Sequence, residues 1–228
     1  MSNLDTSERN RRLAGIAGLL GALLFFAGDM LFYGHLGPGS NFHDGMLNTV
    51  RHASLARLYV GGLVGPVAAC LGILGFWHVY RNVNTPRFFA RLMLVAFVAL
   101  MVFGSAVHTL WTAKGLAIQN CYGSDDVGCR ALLPALDSYW SLAYNLGAAP
   151  GYLAAILLIC LTLFGKTCYP RWTVLANPAF LILLSPLAER IPAPFGAIFA
   201  GGSTNLSIAI FFLVSILTTW SRKESNSI

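Results

Sequence analysis

Long apolar runs, each ended by charged or turn-forming residues, dominate the chain from Leu13 onward. Six stand out, near Leu13 to His35, Leu58 to Tyr80, Phe88 to Ala113, Tyr139 to Gly165, Trp172 to Ala188 and Phe195 to Trp220. About 20 apolar residues of helix cross the ~30 Å of a bilayer's hydrocarbon, so each run reads as a membrane span. The pattern predicts an all-α, polytopic membrane helix bundle, with residues 1–228 forming a single transmembrane domain.

Composition supports that solvent. Of 228 residues, 56% are hydrophobic and only 11% charged, too few charges to cover a water-soluble globule. Soluble enzyme folds, nucleic-acid modules and disordered chains are excluded. An even number of spans puts both termini on one side, and Lys and Arg choose that side because they accumulate in cytoplasmic loops. Arg9, Arg11, Arg12, Arg81, Arg87, Arg91, Lys166, Arg171, Arg222 and Lys223 fall on the terminal side. Arg51, Arg57, Lys114, Arg130 and Arg190 fall on the other, opposed by Asp44, Asp125, Asp126, Asp137 and Glu189. The expectation is a multi-pass protein of the bacterial inner (plasma) membrane with cytoplasmic N- and C-termini. The net charge of +6 follows from this asymmetry and implies no nucleic-acid partner.

Trp77, Trp111, Trp140, Trp172 and Trp220 all fall at or near expected span ends, where an indole prefers to sit. Cys121 and Cys129 bracket a short polar stretch in an expected outer loop, where thiols are oxidised, so a disulfide is predicted. Closing such a loop removes about 2.5 kcal/mol of unfolded-state entropy and would order a hairpin lid. Cys70, Cys160 and Cys168 are expected to stay free. The basic residues before the first run resemble a secretory signal, but the run is long and no small-x-small cleavage site follows, so it is read as a retained anchor helix.

Small residues are spaced for close helix contact: Ala14, Gly18 and Ala22; Gly61 and Gly65; Gly147 and Gly151. Packing seams inside the monomer are the first reading, and an oligomer is left open. Pro66, Pro150, Pro178 and Pro186 fall inside the runs, where each deletes a backbone donor and predicts a bend.

Candidate chemistry follows from depth. At about 1.5 Å per residue, Asp29 lies roughly 24 Å from the inner surface, and His108 and Glu189 reach a similar level. Asn145 enters from the outer side, Asn205 lies nearer the midplane, and Arg57 begins the second span. A carboxyl within a span is costly unless it meets a cation such as Arg57 or His108 or carries a proton, which makes Asp29 the sharpest signal. Asp29, Arg57, His108, Asn145 and Asn205 form the expected ligand-binding set. A buried clasp joining the first three helices is as good a reading of Asp29, and a structural hydrogen bond is the commoner role for His108. Glu189 with Arg190 reads as a solvated interfacial pair, and His78 as interfacial.

The first outer loop carries His35, His43, Asp44 and His52, without the tight spacing of a zinc site, so no metal is assigned. Asn48 to Leu55 reads as a short surface helix. No P-loop, Gly-x-Gly-x-x-Gly fingerprint, Gly-x-Ser-x-Gly elbow or His-Glu-x-x-His occurs, so no cofactor is assigned and nucleotide-driven transport is excluded within the chain. Neither an inverted repeat nor a ring of like pore residues is visible.

Gly28-Asp29, then Gly65-Pro66 with Leu74-Gly75-Phe76-Trp77-His78-Val79-Tyr80, then Gly104-Ser105-Ala106-Val107-His108 resemble a family of bacterial multi-span membrane proteins of unknown function. The likeness covers the first half of the chain. It implies the six-span architecture and no reaction.

The leading expectation is a non-catalytic membrane protein whose outer half binds or passes a small amphiphile or membrane lipid. Asp29 would anchor the ligand, with His108 and Asn145 orienting it. One rival is an intramembrane lipid-modifying enzyme using Asp29 and His108 as acid and base, with Ser105 three residues before His108, although no clear nucleophile is present. The other rival is a structural assembly partner whose polar residues are all helix clasps.

Overall fold

In the computed structural model, residues 6–34, 42–192 and 195–220 are described, and they are helical without a named strand. Four helices are long and apolar enough to cross a membrane. These are α1 (Thr6–Tyr33), α3 (Leu55–Arg81), α4 (Arg87–Cys121) and α5 (Val127–Leu163); α2 (Phe42–Arg51) is a short connecting helix. The number rises to five if α8 (Phe195–Gly201) and α9 (Ser203–Thr219), which meet at 77°, count as one bent span.

The run from Trp172 to Ala188 is not a single helix. It is divided into a 3-10 segment (Arg171–Ala176), α6 (Pro178–Leu181), a second 3-10 turn (Ile182–Leu184) and α7 (Ser185–Ala188). Pro178 and Pro186 cannot donate to a preceding turn, so each opens a new helix instead of bending an old one. Asn177 pins the first break, accepting from the backbone of Ala179 while donating to the carbonyl of Ala155 on α5 at 3.2 Å. The last run breaks at Gly201-Gly202, where a Cβ on Gly202 would lie 2.3 Å from the ring of Phe26. By contrast α3 continues through Pro66, and α5 through Pro134 and Pro150.

The expected outer loop after Ala113 is also helical. Lys114 to Asn120 extends α4 and Arg130 to Ser138 belongs to α5, so the Cys121–Cys129 disulfide staples the tip of a helical hairpin. Gly123, with φ of 77°, takes the tight left-handed turn, and Asp126 caps α5 by accepting from the backbone of Cys129 at 3.1 Å. Lys114 pairs with Asp137 at 2.5 Å across the hairpin, and Arg130 with Asp125 at 2.6 Å. The surface helix expected over Asn48 to Leu55 lies earlier, as α2, whose end is held by Gln119 donating to the carbonyls of Val50 and Ala53.

The small-residue seams serve contacts within the chain. A Cβ on Gly18 would come within 2.5 Å of the Gly75 backbone, so α1 and α3 touch main chain to main chain. Gly147 and Gly151 on α5 admit Phe103 and Leu100 of α4 in the same way. A core of Phe25, Phe76, Phe97, Met101 and Phe212 fills the space between, with Phe76 stacked on Phe97 at 4.1 Å.

The end of the bundle that carries Arg11 holds a sealed polar cluster. Arg11 Nη1 donates to Asn82 Oδ1 and to the carbonyl of Thr219, both at 3.1 Å, which brings the start of α1, the end of α3 and the end of α9 together. Asn82 and Cys168 share a backbone bond, as do Asn84 and Lys166, so the α3–α4 and α5–α6 connections also meet here. His78, in the last turn of α3, faces inward and is 1% exposed. Its Nδ1 faces the Arg11 carbonyl at 2.8 Å and must donate there, so Nε2 accepts from Ser215 Oγ at 3.0 Å. Tyr169 completes the chain by donating to Ser215 Oγ at 2.9 Å, and burial pushes its phenol well above the usual tyrosine range, keeping that proton in place.

Candidate functional site

Asp29 lies one turn before the end of α1, and the helix period puts Tyr33 on the same face four residues on. Tyr33 hydrogen-bonds the Asp29 carboxyl. Asn205 of α9 donates through Nδ2 to Asp29 Oδ2 at 2.7 Å, and His108 Nε2 of α4 lies 3.3 Å from Oδ1. Three helices thus converge on one acid that is only 6% exposed. Between His108 Nε2 and Oδ1 lies one shared proton, on the ring if the acid is ionised and on the acid otherwise.

The position of His108 is set by glycine. A Cβ on Gly65 would fall 2.6 Å from His108 Cβ, and one on Gly28 3.1 Å from its ring, so the imidazole occupies room that larger residues on α1 and α3 would take. Phe25 packs against the ring with centroids 4.8 Å apart. His108 Nδ1 is buried toward the carbonyl of Gly61 without forming a hydrogen bond of normal geometry.

Beside this cluster is a cavity of about 150 Å³, bordered by Asp29, Tyr33, His108, Thr204 and Asn205 at its polar side. Its other walls are largely aromatic and small: Phe25, Phe97, Trp111, Trp140, Tyr144 and Tyr152, with Gly104, Gly147, Ala148 and Gly151 opening the space. Trp140 stacks on Tyr144 at 5.3 Å and meets Trp111 edge-on at 6.1 Å. Toward the hairpin, Lys114 Nζ sits 4.5 Å from the Trp111 ring centre and 5.2 Å from that of Trp140. The short pieces after α5 contribute Pro178, Ala179 and Ile182, so the broken segment forms part of the wall.

Asp29, His108 and Asn205 are therefore brought together, and two other candidates are not. Arg57 does not meet the Asp29 carboxylate: its guanidinium donates to the carbonyls of Leu31, Met30 at 3.0 Å and Gly34 at 2.7 Å. These carbonyls lie at the C-terminal end of α1, where the last backbone acceptors outnumber intrahelical donors, and a cation there also opposes the helix dipole, which is why the guanidinium goes to them. Asn145 is exposed on α5, turned away from its neighbour Tyr144, which does line the cavity. Ser105 is not among the lining residues either, and Glu189 and Arg190 are exposed. His35 lies outside the described residues, as do the side chains of His43 and Asp44; His52 is exposed and bonds the carbonyl of Asn48 at 2.9 Å.

Tyr33, Thr204 and the aromatic walls escaped the sequence reading. The four-residue step from Asp29 to Tyr33 was a usable signal. Trp111 and Trp140 were visible but read as boundary residues, whereas Trp111 is 8% exposed and forms cavity wall.

A family of unknown function, DUF6796, matches residues 1–222. The chain belongs to that family. The match extends the resemblance from the first half to nearly the whole length, so α9 and Asn205 fall within the shared region along with Asp29 and His108. No curated protein and no solved structure matches the chain.

Proposed function

We propose that this member of DUF6796 is a multi-pass protein of the bacterial inner membrane that holds a small amphiphile in the outer half of its bundle. Six crossings with cytoplasmic termini complete the proposal. It is supported by the grouping of Arg11, Arg81 and Lys166 with the ends of α3 and α9, opposite the disulfide hairpin. It is also supported by the path of residues 171–192, which leave the Arg11 end and lead to α8, in contact with α2.

One observation carries the binding reading: the membrane-depth acid opens onto a void instead of being packed over. A dry cavity near 150 Å³ holds a six-carbon ring in other proteins, and aromatic walls beside a few convergent polar groups are the usual make-up of a small-molecule site. The clasp reading also has an observation in its favour, since Tyr33 and Asn205 each spend a hydrogen bond on Asp29 and His108 lies 3.3 Å from it.

Native mass spectrometry of the protein released from its own membranes in a mild maltoside detergent separates them. A retained small adduct that disappears in Ala148→Leu, which fills the void without touching Asp29, is the expected result. Absence of any adduct, with no thermal shift from a panel of amphiphiles, would leave the clasp alone.

A further inference from the structure

Among the described residues that border the cavity, Asp29 is the only acid and none is a lysine or arginine. In low dielectric an ionised carboxyl needs a positive partner, and the guanidinium best placed along the sequence, Arg57, is committed to the carbonyls at the end of α1. Among the described lining residues the imidazole of His108 is the one basic group, 3.3 Å from the carboxyl and positive only when protonated. Much of the remaining wall is aromatic, and such rings attract cations most strongly where water is excluded. The molecule already uses this property at the same place, because Lys114 rests over both Trp111 and Trp140 while its charge is met by Asp137.

From the juxtaposition of one buried carboxyl and a set of rings we infer that the cavity's ligand is an organic ammonium, with its cationic nitrogen between Asp29 and the aromatic wall. The volume of about 150 Å³ suits a compact group such as trimethylammonium with a short arm, and the rest of an amphiphile would lie outside. This inference rests on the binding reading above and narrows it to a charge class. The same chemistry is offered by a free amine and by the headgroup of a choline lipid.

The test is titration of the purified protein in maltoside with choline and with its neutral isostere 3,3-dimethylbutan-1-ol, followed by tryptophan fluorescence, since Trp111 and Trp140 line the site. Choline is expected to bind about tenfold or more tightly than the isostere, a preference that Asp29→Asn removes. The comparison of ligands uses the unaltered protein, so it stands even if the variant folds poorly. Equal binding of both probes overturns the ammonium assignment and leaves the cavity reading intact; failure of both, together with the amphiphile panel, overturns the two readings together. Repeating the choline titration in nanodiscs of phosphatidylcholine and of phosphatidylglycerol identifies the source. A weaker apparent affinity in phosphatidylcholine supports a lipid headgroup, and equal affinity in the two supports a free amine.

Discussion

At one end of the bundle Arg11, His78, Asn82, Ser215 and Thr219 are each 1% exposed or less, hydrogen bonds run from side chain to side chain and on to backbone carbonyls, and none of the five lines the cavity. At the other end Asp29 and His108 are almost as buried, at 6% and 5%, and also tie three helices together, yet they border an open space. Both clusters put ionisable side chains into a helix bundle, and both are locally well bonded. The difference is in what packs beside them. Polar burial by itself is a device for fixing helices against one another, and only a polar group left next to unfilled volume has something further to hold.

This contrast can be broken by substitution. Arg11→Leu deletes the charged donor that reaches Asn82 Oδ1 and the Thr219 carbonyl, so thermal unfolding in detergent should show a loss of about 3 kcal/mol. A smaller pair of effects concerns volume. Ala68 is fully buried where α3 meets α1, and Ala68→Leu should cost about 2 kcal/mol through overpacking. Ala148→Leu adds the same atoms at the cavity wall and should change stability by only about 0.5 kcal/mol or less. The smallest effect is expected for Asp29→Asn, under about 1 kcal/mol, because the amide keeps an acceptor oxygen and nearly the same shape. A cost for Asp29→Asn matching that of Arg11→Leu would make the two ends alike and assign Asp29 to the clasp class.

Some of this was legible in the residues. Charge partition placed Arg11, Arg81 and Lys166 at one end and Arg51, Lys114 and Arg130 at the other, and the helices keep that grouping. The pairing of Cys121 with Cys129 and the close approach at Gly18, Gly147 and Gly151 were also readable, because both depend on short spacings. The division of residues 171–188 was not anticipated, since a hydropathy run does not register that Asn177 finds a partner on α5 and that Pro178 and Pro186 each start a new helix. The inward-facing bonds of His78 were not anticipated for a related reason. Neighbouring Trp77 and Tyr80 suggest a boundary, but the face that His78 shares with Asn82 turns toward α1 and α9.

The solvent of this protein and the helical response to it were determined by the sequence alone, because hydrocarbon demands self-satisfied backbone and long apolar runs meet that demand locally. The placement of Asp29 within a long apolar run was determined there too. Its partners were decided only in three dimensions: Arg57 was drawn away by the carbonyls ending α1, Asn205 was delivered by the bend at Gly202, and Asn145 was rotated outward. Which groups meet, and whether space remains between them, depends on the relative rotation and depth of separate helices, and that is set by contacts among residues far apart in the chain.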